Sequence, residues 1–200
     1  VGLPDKSGIN FAFNSGYTIN SATNTEVYAF GTLMSRRGAS PQFARTPYWV
    51  TGFEQIYPDQ DFFLPEMAPK IEDNTLALGI KTTYLDWDVD FSTTIGRNKI
   101  SYYIINSFNQ SLGADSPKDF YNGAHSFSNI VNNLDIIRTF KPEKIEALTF
   151  SFGAEQRTEY FRTKAGEFAS YGDGSPDELD RIGSESYSGF KPENASRNTR

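Results

Sequence analysis

The chain contains no cysteine, and His125 is the one histidine among its 200 residues. Without thiols there is no disulfide framework and no thiolate metal site, which by itself assigns no compartment. Long apolar runs are also missing, and a mean hydropathy of −0.52 leaves no candidate for a helical membrane span. Cations are in the minority, with 19 Lys and Arg against 25 Asp and Glu, a net charge of −6 and a pI near 4.9. No basic stripe runs along the sequence to displace counterions from a phosphate backbone, so nucleic acid is not an expected partner.

What is present is alternation. Trp87, Val89, Phe91, Thr93 and Ile95 share one parity, and Asp88, Asp90, Ser92, Thr94 and Gly96 share the other. Successive side chains of a strand face opposite sides, so this is a strand with one apolar and one polar face. Six such segments are expected, over about 9–19, 26–36, 74–84, 87–97, 127–140 and 146–161. The apolar faces are read as Ile9, Phe11, Phe13, Tyr17 and Ile19; Tyr28, Phe30, Thr32 and Met34; Leu76, Leu78, Ile80, Thr82 and Tyr84; and Leu148, Phe150, Phe152 and Ala154. The segment at 127–140 is less regular, because Val131 and Ile137 fall with Asn133 and Asp135. Aromatic residues near segment ends, Tyr17, Tyr28, Tyr84, Trp87 and Phe140, would form a girdle at two membrane interfaces.

The connections alternate between short and long. Residues 20–25, 85–86 and 141–144 carry the Asn, Asp, Pro and Lys that tight turns favour, whereas 37–73, 98–125 and 162–200 are extended. Short turns on one side and long loops on the other are the layout of an outer-membrane β-barrel, whose tilted strands need about 9–11 residues to span. The expected fold class is therefore all-β, with antiparallel up-and-down strands of a transmembrane barrel. The first, third and fifth strands run towards the periplasm and the others outward. Closed barrels begin at about eight strands. The whole chain is accordingly expected to be a six-strand section of a larger barrel.

The stretches EVYAFGTLMSRRG (26–38), WDVDFSTTIGRN (87–98), NSFNQSLGADSPKDFYNG (106–123) and LTFSFGAEQRTEYFRTKAGEFASYGDG (148–174) resemble the barrel of TonB-dependent outer-membrane receptors. The resemblance implies a barrel of about 22 strands around an N-terminal plug. It further implies uptake of a scarce ligand at the surface of a Gram-negative bacterium, such as an iron–siderophore, haem, a vitamin or an oligosaccharide. The implied partners are the TonB complex of the inner membrane, reached through a box outside this sequence, together with lipid or lipopolysaccharide. No catalytic signature is present, and neither an enzyme activity nor a cofactor is expected.

Candidate site residues come from two places. Tyr48, Trp49, Phe53, Tyr57, Phe62 and Phe63 crowd the first long loop, where exposed rings can stack on a sugar, a catecholate or a porphyrin-like ligand. The plainer expectation is that they pack the loop. Asp88, Asp90, Glu155, Arg157 and Glu159 would face the lumen, as solvated charges, plug contacts or part of a ligand path. Asp173, Asp177, Glu178 and Asp180 cluster in a Gly/Ser/Pro context that does not match an EF-hand, so no metal site is expected. Neither Ser126 nor Asp119 near His125 makes a triad by proximity alone, and Asn109 and Asn194 open chance-level Asn-X-Ser matches. A passive channel and a soluble all-β binding module share the alternation.

Overall fold

The computed structural model describes residues 3–174 and 181–200. The protein is all-β: one antiparallel sheet built from β1 (Asp5–Asn20), β2 (Thr25–Pro41), β3 (Glu66–Met67), β4 (Lys70–Tyr84), β5 (Trp87–Ile105), β6 (Phe120–Phe140), β7 (Leu148–Lys164) and β8 (Arg197–Thr199). Ser40 faces Met67 and Arg37 faces Lys70, while Met67 faces Ile104 and Lys70 faces Ser101. Strands β3 and β4 thus lie end to end in one slot between β2 and β5. Two single-turn helices, α1 (Phe53–Ile56) and α2 (Phe168–Tyr171), sit in connections. Among the described residues no helix is long and apolar enough to cross a membrane.

The strands run longer than the alternation alone indicates, because pairing continues where side chains stop alternating. The expected long stretches 37–73, 98–125 and 162–200 shrink to connections of 42–65, 106–119 and 165–196, the last of these leading into β8. All three leave the same end of the sheet. At the other end, Leu85 (φ 50°) and Asp86 (φ 61°) make a two-residue hairpin turn whose twist matches the strands. Asn20 closes the first hairpin by accepting from the Ala22 N–H at 2.9 Å.

The register sorts every strand residue to a face. Tyr17, Val27, Ile80, Phe91, Leu134 and Ala154 stand in one row across six strands. The next row, on the opposite face, reads Gly16, Tyr28, Gly79, Ser92, Asn133 and Glu155. This corrects the expected faces of β2: Val27, Ala29, Gly31 and Leu33 join the apolar face, while Tyr28, Phe30, Thr32 and Met34 lie on the polar one. Tyr28 therefore leaves the expected girdle; its ring lies over Gly79, where a Cβ would collide with it, and its hydroxyl donates to Asp90 at 2.7 Å. Apolar residues occur on both parities of β2, so its own sequence does not choose between them. Its neighbours do.

Among the described residues no layer covers either face of the central sheet. All of β1 is exposed, Leu78 is 51% exposed and Phe91 47%. The buried cluster is Val50, Phe53, Tyr57, Phe63 and Phe108, and it lies entirely within the long connections. Among the described residues β1 has no strand on its outer edge, and β7 is paired there only at Tyr160–Arg162.

Candidate functional site

The connections at one end fold into a cap. Segment 42–65 closes on itself where Arg45 and Phe63 exchange backbone hydrogen bonds of 2.8 and 2.9 Å. Inside it, Tyr57 stacks on Phe63 at 4.6 Å between centroids, and Phe108 reaches in from 106–119. The Tyr57 hydroxyl donates towards Asn106 Oδ1 and the Ser107 carbonyl at 3.3 and 3.4 Å. Burial, reinforced by the negative charge of Asp119, pushes the Tyr57 phenol up to about 12. The six candidate aromatics therefore divide. Phe53, Tyr57 and Phe63 are 2–3% exposed and pack the loop, leaving no face for a ligand, whereas Tyr48, Trp49 and Phe62 stand in solvent.

A closed polar circuit ties the three connections together. The Thr51 N–H donates to Gln110 Oε1 at 3.1 Å, Gln110 Nε2 donates to Glu185 Oε1, and Arg45 Nε donates to Glu185 Oε2 at 2.8 Å, returning to the first connection. Glu185 is buried, and its carboxylate is answered within hydrogen-bond range by both partners, as a buried charge requires. Its backbone joins as well, the N–H donating to the Phe108 carbonyl at 3.0 Å and the C=O accepting from Ser107 Oγ at 3.0 Å. Asn109, fully buried, donates to the carbonyls of Ala169 and Gly172 at 2.9 and 2.8 Å. Sequence reading misses Arg45, Gln110 and Glu185. Charged and amide residues in loops are ordinarily solvated, and only the fold brings these three together.

The polar face of the sheet carries the other candidates. Asp88 and Asp90 lie near the short turns, where Asp90 stands between Lys81 and Asp135 in the register and accepts from Tyr28. Two carboxylates directly opposite each other, Asp90 and Asp135, repel, and Lys81 and the phenol hydroxyl beside Asp90 offset that. Lys81 itself pairs with Glu26 at 3.3 Å. Asp88 accepts from Thr83 Oγ1 at 2.7 Å. On β7, Arg157 is flanked by Glu155 at 3.0 Å and Glu159 at 3.8 Å. All five residues thus share the polar face, in two separate groups: acidic on β5 and ion-paired on β7.

His125 is held among rings on that same face, 4.6 Å from Phe190 and 5.7 Å from Phe161, with the Tyr102 hydroxyl 3.4 Å from its Nδ1. Ser126 points to the opposite face, as the next residue of a strand must, and Asp119 is engaged by the Asn106 N–H at 3.1 Å. These three do not assemble. Of the acidic cluster, Asp177, Glu178 and Asp180 lie outside the described residues. Among the described residues no group of three or more His, Asp or Glu is placed to hold a metal ion. Comparison with known protein families, curated proteins and solved structures finds no match to this chain.

Proposed function

We propose that this chain is a section of the β-barrel of an outer-membrane receptor that takes up a scarce ligand, an iron–siderophore, haem, a vitamin or an oligosaccharide, with TonB-coupled energy. The observation that carries the reading is the uncovered row Tyr17, Val27, Ile80, Phe91, Leu134 and Ala154, one apolar line across six strands with no layer over it. Lipid is the solvent in which such a row is stable, and in lipid the free edges of β1 and β7 pair with further strands, since unpaired backbone there costs several kcal/mol per group, roughly.

The slant of the apolar band supports the same reading. On β1 the band covers Ile9 to Tyr17, and on β7 it covers Leu148 to Ala154, yet register links only Tyr17's row to Ala154. A band that climbs across the rows is what strands tilted to a bilayer produce. At its lower edge Trp87 meets Phe140 and Phe152 at 6.4 and 6.1 Å, with Arg138 over Phe140 at 4.6 Å, an aromatic and cationic border suited to the interface. The short turns then face the periplasm and the cap faces outward. There the exposed rings of Tyr48, Trp49 and Phe62 are the first surfaces a ligand meets.

Single cysteines at positions 78, 91, 92 and 94, each labelled with a thiol-reactive fluorophore in the protein reconstituted in vesicles, test this with a lipid-soluble quencher. The label at 78 or 91 is expected to be quenched and the label at 92 or 94 spared; equal quenching on both faces defeats the barrel. Uptake that continues after TonB is deleted favours the passive channel over the energised receptor.

A further inference from the structure

The pairing of β5 with β6 slips once. Tyr102 faces Gly123 but Tyr103 faces Tyr121, so Asn122 is an extra residue without a partner in the ladder, a β-bulge. The bulge turns Asn122 into the cap, where it is fully buried. Its Nδ2 donates to Ser184 Oγ at 2.7 Å and to the Tyr187 carbonyl at 2.6 Å, and Ser184 Oγ donates to that same carbonyl at 2.8 Å. The Asn122 backbone carbonyl accepts from the Phe190 N–H at 2.9 Å. Much of the connection 165–196 thus hangs on this one residue. Among the described residues Asn122 Oδ1 has no hydrogen-bond partner.

The next position admits only glycine. Gly123 has φ 111°, and a Cβ there would lie 2.5 Å from the Lys164 carbonyl oxygen and 2.6 Å from the Phe190 ring. The fold therefore calls for an amide donor at 122 and a bare backbone at 123. Together they make the one Asn–Gly pair in the chain. In that dipeptide a backbone nitrogen most readily attacks the side-chain amide before it, because no Cβ stands in the way.

We propose that Asn122–Gly123 is a site of spontaneous deamidation gated by the cap, with water as the co-reactant. The Gly123 nitrogen attacks Asn122 Cγ: the N–Cγ bond forms, the Cγ–Nδ2 bond breaks, and ammonia leaves with the proton of the Gly123 N–H. Water then opens the cyclic imide at either carbonyl and leaves aspartate or isoaspartate. In the closed cap Nδ2 is held by two acceptors, so the amide swings onto the backbone only when 165–196 lifts off. The rate follows the population of that local opening. The change is one-way. A carboxylate at 122 has no proton to give Ser184 Oγ or the Tyr187 carbonyl, and burying it without a partner is costly, so the released connection does not dock again. The inference uses the cap alone and holds whichever solvent covers the sheet.

The test incubates the full chain in detergent at mildly alkaline pH and follows Asn122 by peptide mass spectrometry, beside the same chain in denaturant. In denaturant Asn122 is expected to convert faster than any other asparagine. In the folded protein it is expected to be slower by the factor that amide exchange at Phe190 gives for local opening. Ser184→Ala removes one acceptor of Nδ2 and is expected to convert on the order of tenfold faster than the parent when folded, and at the parent's rate in denaturant. Asn122→Asp is expected to lose exchange protection at Ser184, Gly189 and Phe190, whose amides donate to the carbonyls of Ser170 and Asn122, and to keep it at Arg45 and Phe63. Equal rates in the folded and denatured parent overturn the gate, a comparison that needs no variant to fold. An unchanged Asn122 in denaturant overturns the site, and full protection at Phe190 in Asn122→Asp overturns the one-way release.

Discussion

Phe53 sits in a surface connection and is 2% exposed, while Phe91 sits within a 19-residue strand, paired on both sides, and is 47% exposed. In a protein whose whole surface meets water these two would trade places, because strands flank the core and loops cover the outside. On the proposed barrel reading, the inversion means that the two regions are built for different solvents. The cap gathers its own aromatic core because water surrounds it. The sheet is held by long ladders of backbone pairs and, on that reading, leaves its side chains for lipid on one face and for polar contacts on the other.

The sharpest way to break this contrast is to damage each region by its own rule. Phe63→Ala removes a stacked ring from the cap core and is expected to cost about 3–5 kcal/mol of local stability, read as faster amide exchange across 45–63 with the strands unaffected. Phe91→Arg is expected to cost about 2–4 kcal/mol in vesicle refolding titrations, and Thr94→Arg far less. Equal costs at 91 and 94 would contradict the two-solvent account. Gln110→Ala leaves the Thr51 N–H and one Glu185 oxygen without partners, and about 1–3 kcal/mol is expected from that, visible as exchange at Thr51 and Glu185 together.

The smallest effect is the dependence on alkali. The Tyr57 phenol is raised to about 12 from an ordinary 10.0, so the folded cap holds a proton that the unfolded chain has released between those values. Stability is therefore flat through neutral pH and falls as pH climbs from about 10 towards 12. Cap exchange measured against pH should show this fall in the parent and lose most of it in Tyr57→Phe.

The all-β class and its antiparallel order were legible in the sequence, and so were five of the six long strands' faces, because a period of two survives wherever one parity is apolar. In β2 both parities are apolar, and only the pairing of Val27 with Tyr17 and Ile80 settles its orientation. Strand ends were misjudged for a related reason: beyond Gly96, β5 continues through Arg97, Lys99 and Ser101, where the side chains of the apolar parity turn polar although the ladder goes on. The loop aromatics were visible as a group. Their division into buried and exposed was not, since Phe62 and Phe63 are neighbours in sequence and opposite in fate. Glu185, Gln110 and Arg45 gave no signal, because a buried circuit across three connections has no spacing to detect.

That circuit also spans a long stretch of chain. Arg45 and Glu185 are separated by 140 positions along the chain, and four long strands, β4 to β7, lie between them. The first connection emerges early in synthesis with an aromatic cluster still lacking Phe108 and a cation still lacking its carboxylate. Closing so distant a pair carries the entropic cost of a long loop, which falls only when the intervening hairpins have formed. The Arg45–Glu185 link is accordingly expected to close after β4 to β7 have paired, so that a completed cap goes with those four strands in register.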